Sequence, residues 1–287
     1  MNAQSAAPAT APDTSRTSSV VKCGALTWHM ETTGSGPICL LIHGTGASTH
    51  SWYKLAPLLA PHYTVVMMDL PGHARTITPA STELTLTSMA SALYQLIEQE
   101  NLHAQLMIAH SAGAAIMLEM CLQHPECAQR LVSINGAVLP LQGIAGYLFS
   151  PLARLSARSN LMPRFFSYRA KNDRNIKKLL DSTGSTLDAD SFRHYAQLFS
   201  DPTHVSGVLR MMANWHLEKL TPRLGSLHPA IQLIAASNDK TIPLRDTYKL
   251  QQLLPADKVN LSVVNGCGHL VHEENASAVA KLILETG

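Results

Sequence analysis

Three side chains suited to acyl transfer each follow a short apolar run: Ser111, Asp239 and His269. Ser111 stands in Ala109-His-Ser-Ala-Gly113, after Gln105-Leu-Met-Ile and before an Ala-rich stretch. A serine at the tip of a strand-to-helix turn holds its hydroxyl out toward substrate and base. It also aims the amide of the next residue, Ala112, at the place where an oxyanion develops. The start of the helix adds partial positive charge there. Small neighbours are required because strand and helix pass close together. The pattern G-x-S-x-G is met except at its first position, where Ala109 stands. Taken alone, the segment also reads as a small-residue crossing with an incidental serine.

Further segments supply what such a serine needs. His43-Gly-Thr-Gly46 follows an apolar run, and glycine-flanked backbone there offers a second amide donor, from Thr45 or, as the alternative, Gly46. One such donor is worth about 2.7–4 kcal/mol of transition-state stabilisation. His43, Gly44 and His110 adjoin these groups and are expected to contact substrate. Asp239, in Ser237-Asn-Asp-Lys-Thr-Ile-Pro243, can orient a histidine and stabilise its cation, or cap a helix from Pro243. His269, in Asn265-Gly-Cys-Gly-His269, is the expected general base. His272, three residues on, reads as a packed residue rather than a second base.

The elements that position these residues follow from hydropathy. Largely apolar segments at 38–42, 63–68, 105–109, 131–134, 231–235 and 259–264 read as strands, the first two as buried ones and 38–42 as an unbroken apolar run. Helical patterns at 51–60, 85–100, 112–122 and 276–284 alternate with them. That alternation predicts an α/β fold, a mostly parallel sheet covered by helices on both faces. Between 139 and 227 no strand is expected, only helical pieces, among them 143–157, 175–180, 191–199 and 205–217. The expected organisation is a core from 20–138 and 228–287 with a helical lid over 139–227. In open α/β sheets ligands bind beyond the carboxyl ends of the strands, where such a lid lies. Met211 and Met212 are expected on its inner side, lining the substrate or packing the core.

Composition narrows the function classes. The chain has 287 residues, 46% hydrophobic and 15% charged, enough for one large domain with an insertion. Twenty-two Lys and Arg against 20 Asp and Glu give a net charge of +2, and no basic excess points to a nucleic-acid partner. Five scattered cysteines without a C-x-x-C argue against a disulfide framework and for a reducing, cytoplasmic setting. No apolar run approaches the roughly 18 residues of a membrane span. Residues 1–19, rich in Ala, Ser, Thr and Pro, read as a disordered tail without the pattern of a secretory signal. No His, Cys or carboxylate set has metal-ligand spacing, and no cofactor is expected.

The order Ser111, Asp239, His269, each after a strand, together with His43-Gly-Thr-Gly46, resembles the α/β-hydrolases over the chain from about residue 25. That resemblance implies a nucleophilic Ser111, a general base His269 and an orienting Asp239. It argues against the dehalogenase and epoxide-hydrolase branches, which place Asp at the nucleophile position. A narrower likeness is carried by His43-Gly-Thr-Gly-Ala-Ser-Thr-His-Ser-Trp52, His110-Ser-Ala-Gly-Ala-Ala115 and Ser133-Ile-Asn-Gly-Ala137. Ser182-Thr-Gly-Ser-Thr-Leu-Asp188, Arg210-Met-Met-Ala-Asn-Trp215 and Gly268-His-Leu-Val-His-Glu-Glu274 complete it. Together they resemble the magnesium-chelatase accessory proteins of bacteriochlorophyll biosynthesis. Ala109, Ala74 and Asn275 depart from that pattern. The resemblance implies a role beside Mg²⁺ insertion into protoporphyrin IX, with chelatase subunits as partners. No G-x-x-x-x-G-K-[ST] loop is present, so the ATPase step is expected to lie elsewhere.

Residues 151–180 hold eight Lys and Arg against one acid, Asp173, with apolar residues interleaved. This stretch reads as a solvated basic face, as a contact for an anionic membrane, or as a site for a carboxylated amphipathic ligand. Three functions remain open from sequence: a serine hydrolase on a hydrophobic, tetrapyrrole or lipid ester; a non-catalytic tetrapyrrole-binding or delivery partner of magnesium chelatase; and a general carboxylesterase or carbon–carbon bond hydrolase.

Overall fold

The computed structural model describes residues 15–140 and 161–286. Among these residues eight strands form one sheet in the order β1-β2-β4-β3-β5-β6-β7-β8. They are β1 (Thr17–Cys23), β2 (Leu26–Thr33), β3 (Ile38–Ile42), β4 (Thr64–Met68), β5 (Ala104–His110), β6 (Ala128–Ile134), β7 (Ala230–Ala236) and β8 (Val259–Val264). From β4 to β8 the neighbours run parallel; β1 and β2 pair antiparallel.

The expected strands are all present, with β8 only half-buried. In β3 the alternation of a strand sends Cys39 and Leu41 to one face and Leu40 and Ile42 to the other, and both sets are fully buried. One face is covered by α2 (Leu86–Gln99) and α3 (Ala112–Gln123), the other by α1 (Ala56–Leu59) and α10 (Ala276–Glu285). Helix α2 follows from its sequence. Thr85 caps it by accepting from the Ser88 amide at 3.1 Å, and Leu86, Met89, Leu93 and Leu96 bury one stripe.

The structure corrects several expectations. The hairpin β1–β2 was not anticipated, and β1 begins at Thr17, inside the expected tail; residues 1–14 lie outside the described residues. β1 is a polar, largely exposed edge strand without the apolar run that marks the others. Gly24, at φ +58°, makes its two-residue turn. The helix expected over 51–60 is a 3₁₀ turn at Thr49–Trp52 and the single-turn α1, because Pro57 cannot continue a helix already in progress and fits only its first turn. The expected helix over 143–157 falls outside the described residues.

Between β6 and β7 the described chain is helical: α4 (Leu161–Ala170), α5 (Asp173–Asp181), α6 (Ala189–Ser200) and α7 (Pro202–Ala213). Helix α7 stops four residues before the expected end, and Trp215 and Leu217 turn into the main core. Ile176, Leu180, Tyr195 and Leu198 of this insertion form their own cluster with Ala47 and Leu270. Helices α8 (Leu244–Leu253) and α9 (Val271–Glu274) complete the fold.

Candidate active site

Ser111 sits between the end of β5 and α3 with φ 51° and ψ −121°. This conformation costs an L-residue on the order of 1–3 kcal/mol and needs support from its surroundings. The support is backbone: the Ser111 amide donates to Ile134 O at 3.1 Å, and its carbonyl accepts from Ala137 N at 2.9 Å. Two glycines make room. A Cβ on Gly113 would stand 2.5 Å from His43 O, and one on Gly44 would stand 2.9 Å from Ser111 Cβ. The tight passage anticipated from sequence therefore requires the second glycine of the motif, whereas its first position is filled by Ala109, fully buried within β5.

His269 and Asp239 reach Ser111 from the ends of β8 and β7. His269 Nε2 lies 2.9 Å from Ser111 Oγ, and Nδ1 lies 2.7 Å from Asp239 Oδ2. The other carboxylate oxygen, Oδ1, accepts from the amides of Thr241 and Ile242 at 2.7 and 2.8 Å. Asp239 therefore does not cap α8, the alternative weighed from sequence; Pro243 holds that position. All three residues are buried, Ser111 at 9%, Asp239 at 7% and His269 at 6% exposure. With Nδ1–H donating to the carboxylate, Nε2 is free to accept the serine proton, an arrangement that can generate an alkoxide-like nucleophile.

His43 and His110 are positioned behind the site rather than open to a ligand. His43 Nε2 accepts from the Leu70 amide at 2.9 Å, so Nδ1 carries the proton and donates to Gly44 O at 2.8 Å. In a trans peptide the N–H points opposite to the C=O, so this bond turns the Thr45 amide away from His43. His110 Nε2 donates to His269 O at 3.0 Å. Burial pushes His43 down to about 4 and His110 well below the usual histidine range, so both are neutral fasteners at pH 7. Met211 is buried in the main core, and its sulfur accepts from Thr45 Oγ1 at 3.7 Å. Met212 is half-buried beside it. Phe199 of α6 closes over the loop, with Cζ 2.8 Å from where a Cβ on Gly46 would lie. His272 is fully buried between Trp52 and His110, a packed residue as its position suggested.

Two holding devices escaped the sequence reading. Asn135, at φ 44°, donates from Nδ2 to His269 O at 2.8 Å and Gly268 O at 3.2 Å, and accepts at Oδ1 from Ala236 N at 2.8 Å. The segment after α5 acts as a second strap. Thr183 O accepts from both Lys240 N and His269 N, at 3.1 and 3.3 Å, binding the aspartate loop to the histidine loop. Gly184 and Gly268 touch backbone to backbone, where a Cβ on Gly268 would stand 2.2 Å from Gly184 C. Only the occurrence of both segments among those carrying the narrower resemblance pointed to them. Of the departures from that pattern, Ala74 adopts φ 42°, which explains why glycine suits the position, and Asn275 caps α10 by accepting from Ala278 N. Among the described residues no group of three or more His, Cys, Asp or Glu could hold a metal ion, and no helix is long and apolar enough to cross a membrane.

Comparison with known proteins agrees with this architecture. The sequence profile of the α/β-hydrolase fold matches residues 37–276. The magnesium-chelatase 30 kDa subunit of Rhodobacter capsulatus is 37% identical over 267 residues, 92% of each chain. The 2-hydroxy-6-oxo-6-phenylhexa-2,4-dienoate hydrolase of Burkholderia cepacia is 22% identical over 90% of each chain. Among solved structures, an α/β-hydrolase-fold protein of Burkholderia ambifaria superposes with a TM-score of 0.76 at 22% identity, covering 91% of this chain and 94% of that one.

Proposed function

The chain belongs to the α/β-hydrolase-fold family, and from that premise we propose that it is a serine hydrolase of a hydrophobic ester that serves as an accessory to magnesium chelatase. The observation that carries the catalytic part is the continuous chain Ser111 Oγ, His269, Asp239, with gaps of 2.9 and 2.7 Å. Ser111 Oγ attacks the ester carbonyl while His269 Nε2 takes its proton. The amides of Ala112 and Thr45, with Gly46 as the alternative, receive the oxyanion. His269 then protonates the departing alcohol, and a water attacks the acyl-enzyme by the same route in reverse. No cofactor enters these steps.

The accessory part rests on the Rhodobacter capsulatus relative and makes a tetrapyrrole ester the candidate substrate and chelatase subunits the candidate partners. Exposed Leu161, Phe165, Phe166 and Tyr168 beside Arg169 and Lys171 support peripheral membrane contact through the insertion, which co-sedimentation with phosphatidylglycerol vesicles tests. The decisive experiment for the whole reading is Mg²⁺ insertion into protoporphyrin IX by purified chelatase subunits, with wild type or Ser111→Ala added. Stimulation by wild type that is lost in Ser111→Ala is expected. Stimulation that survives the substitution would turn the reading to a binding and delivery partner. Ester turnover without any stimulation would place the protein outside the pigment pathway.

A further inference from the structure

Apart from Ser111, the molecule holds a cleft of about 450 Å³ between the insertion and the loop that follows β4. Its floor is a crossing of two backbones. A Cβ on Gly207 of α7 would stand 1.7 Å from Gly72 O, so only glycine lets the helix rest on the loop. Around that point Thr203, Ser206, Gly207 and Arg210 follow the i, i+3, i+4, i+7 spacing of one helix face, and all four line the cleft. A helix face turned toward a core is ordinarily apolar. Here the apolar residues Val205, Val208 and Met211 are buried elsewhere on α7, and the face toward the loop carries hydroxyls and a guanidinium.

Three arginines from three elements meet at this cleft: Arg75 of the loop, Arg164 of α4 and Arg210 of α7. Arg210 is held in place by Nη2 donating to the carbonyls of Ala80 and Thr82. Among the described residues no aspartate or glutamate lines the space; Arg75 Nη1 lies 3.2 Å from His29 Nε2 and 4.0 Å from the Glu31 carboxylate, neither of which lines it. Like charges around one space repel, and an entering anion relieves that repulsion while offering the planar oxygens that guanidinium groups bind in pairs. The volume lies within the range of small-molecule pockets and equals about fifteen water volumes, far more than one inorganic anion fills. Ile77, Pro163 and Pro202 add apolar wall. At the inner end His204 meets Phe199, with ring centroids 5.6 Å apart, and Phe199 in turn covers Gly46. One layer of rings thus separates the cleft from the loop beside Ser111.

We propose that this cleft is a binding site for an organic ligand with an apolar body and at least two carboxylates, distinct from the Ser111 centre. The chemistry at Ser111 is not needed for it. The test is isothermal titration of the full chain with azobenzene-4,4′-dicarboxylate, with its dimethyl ester and the monoacid as controls. The dicarboxylate binds with one-to-one stoichiometry, the monoacid binds more weakly, and the ester does not bind. Arg164→Ala and Arg75→Ala each weaken the dicarboxylate by about tenfold or more, and raising the salt weakens it further. Both side chains are exposed, so both variants keep the wild-type circular dichroism and melting temperature. Ser111→Ala binds as wild type does. Absence of dicarboxylate binding, equal affinity for the ester, or indifference to both arginine substitutions would each overturn the proposal.

Discussion

The Ser111 backbone holds a strained conformation whose cost is met by two backbone bonds, its amide donating to the Ile134 carbonyl at the end of β6 and its carbonyl accepting from the Ala137 amide just beyond. Strain of this kind keeps the hydroxyl fixed while its neighbours change. Asp239 is held as firmly, with one oxygen on two amides and the other on His269. Asp239→Asn keeps this geometry but favours the wrong tautomer of His269. It should lower kcat for a p-nitrophenyl ester by about 10⁴-fold with little change in KM; a drop below tenfold would remove Asp239 from the mechanism. Ser111, Asp239 and His269 were legible in the sequence because each follows an apolar run and carries chemistry in its side chain. Asn135 and Thr183 were not. They act by hydrogen bonds to groups far along the chain, Ala236, Gly268 and His269 for Asn135 and Lys240 and His269 for Thr183, and nothing in local hydropathy marks such bonds. His43 and His110 were legible as members of the site but not in their roles, since a histidine buried on a backbone carbonyl and one facing a ligand look alike in sequence.

The elements divide by how much apolar surface they bury. β3 and β4, buried on both faces, announce themselves by nearly unbroken apolar runs. β1 does not, because its first four residues are exposed and among the described strands it pairs with β2 alone. The short α1 was overestimated because its apolar pattern continues through Pro57, and the backbone decides there rather than hydropathy. The strap formed by Asn135 links the ends of β6 and β7 to the histidine loop after β8. Asn135→Ala leaves the buried Ala236 amide without its acceptor and puts alanine at positive φ. A loss of about 2 kcal/mol or more in unfolding free energy is expected, read from urea denaturation, with a larger fall in ester turnover than the stability loss explains at 25 °C. Unchanged turnover in the folded variant would show that the strap holds the fold but not the site.

Across the whole molecule, buried histidines set the acid limit of stability. Burial holds His43 and His204 at about 4 and His73 and His272 at about 3, and His110 well below its usual range. Between those values and about 6.5 the unfolded chain binds protons that the folded chain does not, so stability rises with pH up to about 6.5. Glu273 acts in the opposite sense. Fully buried, it is raised from 4.5 to about 8, with Tyr195 Oη donating to Oε1 at 2.6 Å. The folded chain keeps its proton between 4.5 and 8 and the unfolded chain does not, so stability falls with rising pH across that window. At 6.5 the five histidines of the unfolded chain are still half protonated and outweigh this one group; from about pH 7 upward Glu273 dominates. The melting temperature should therefore peak near pH 7, about where the residual histidine protonation of the unfolded chain balances the one proton on Glu273, and Glu273→Gln should flatten the decline toward pH 8 while leaving the acid limb. A profile still declining in that variant would contradict the assignment. The central claim, that Ser111 is an activated nucleophile, is tested most directly by treating the full chain with a fluorophosphonate and mapping the adduct by mass spectrometry. One adduct is expected, on Ser111, formed in wild type and lost in His269→Ala. No adduct at neutral to mildly alkaline pH, with a smaller fluorophosphonate failing as well, would contradict it.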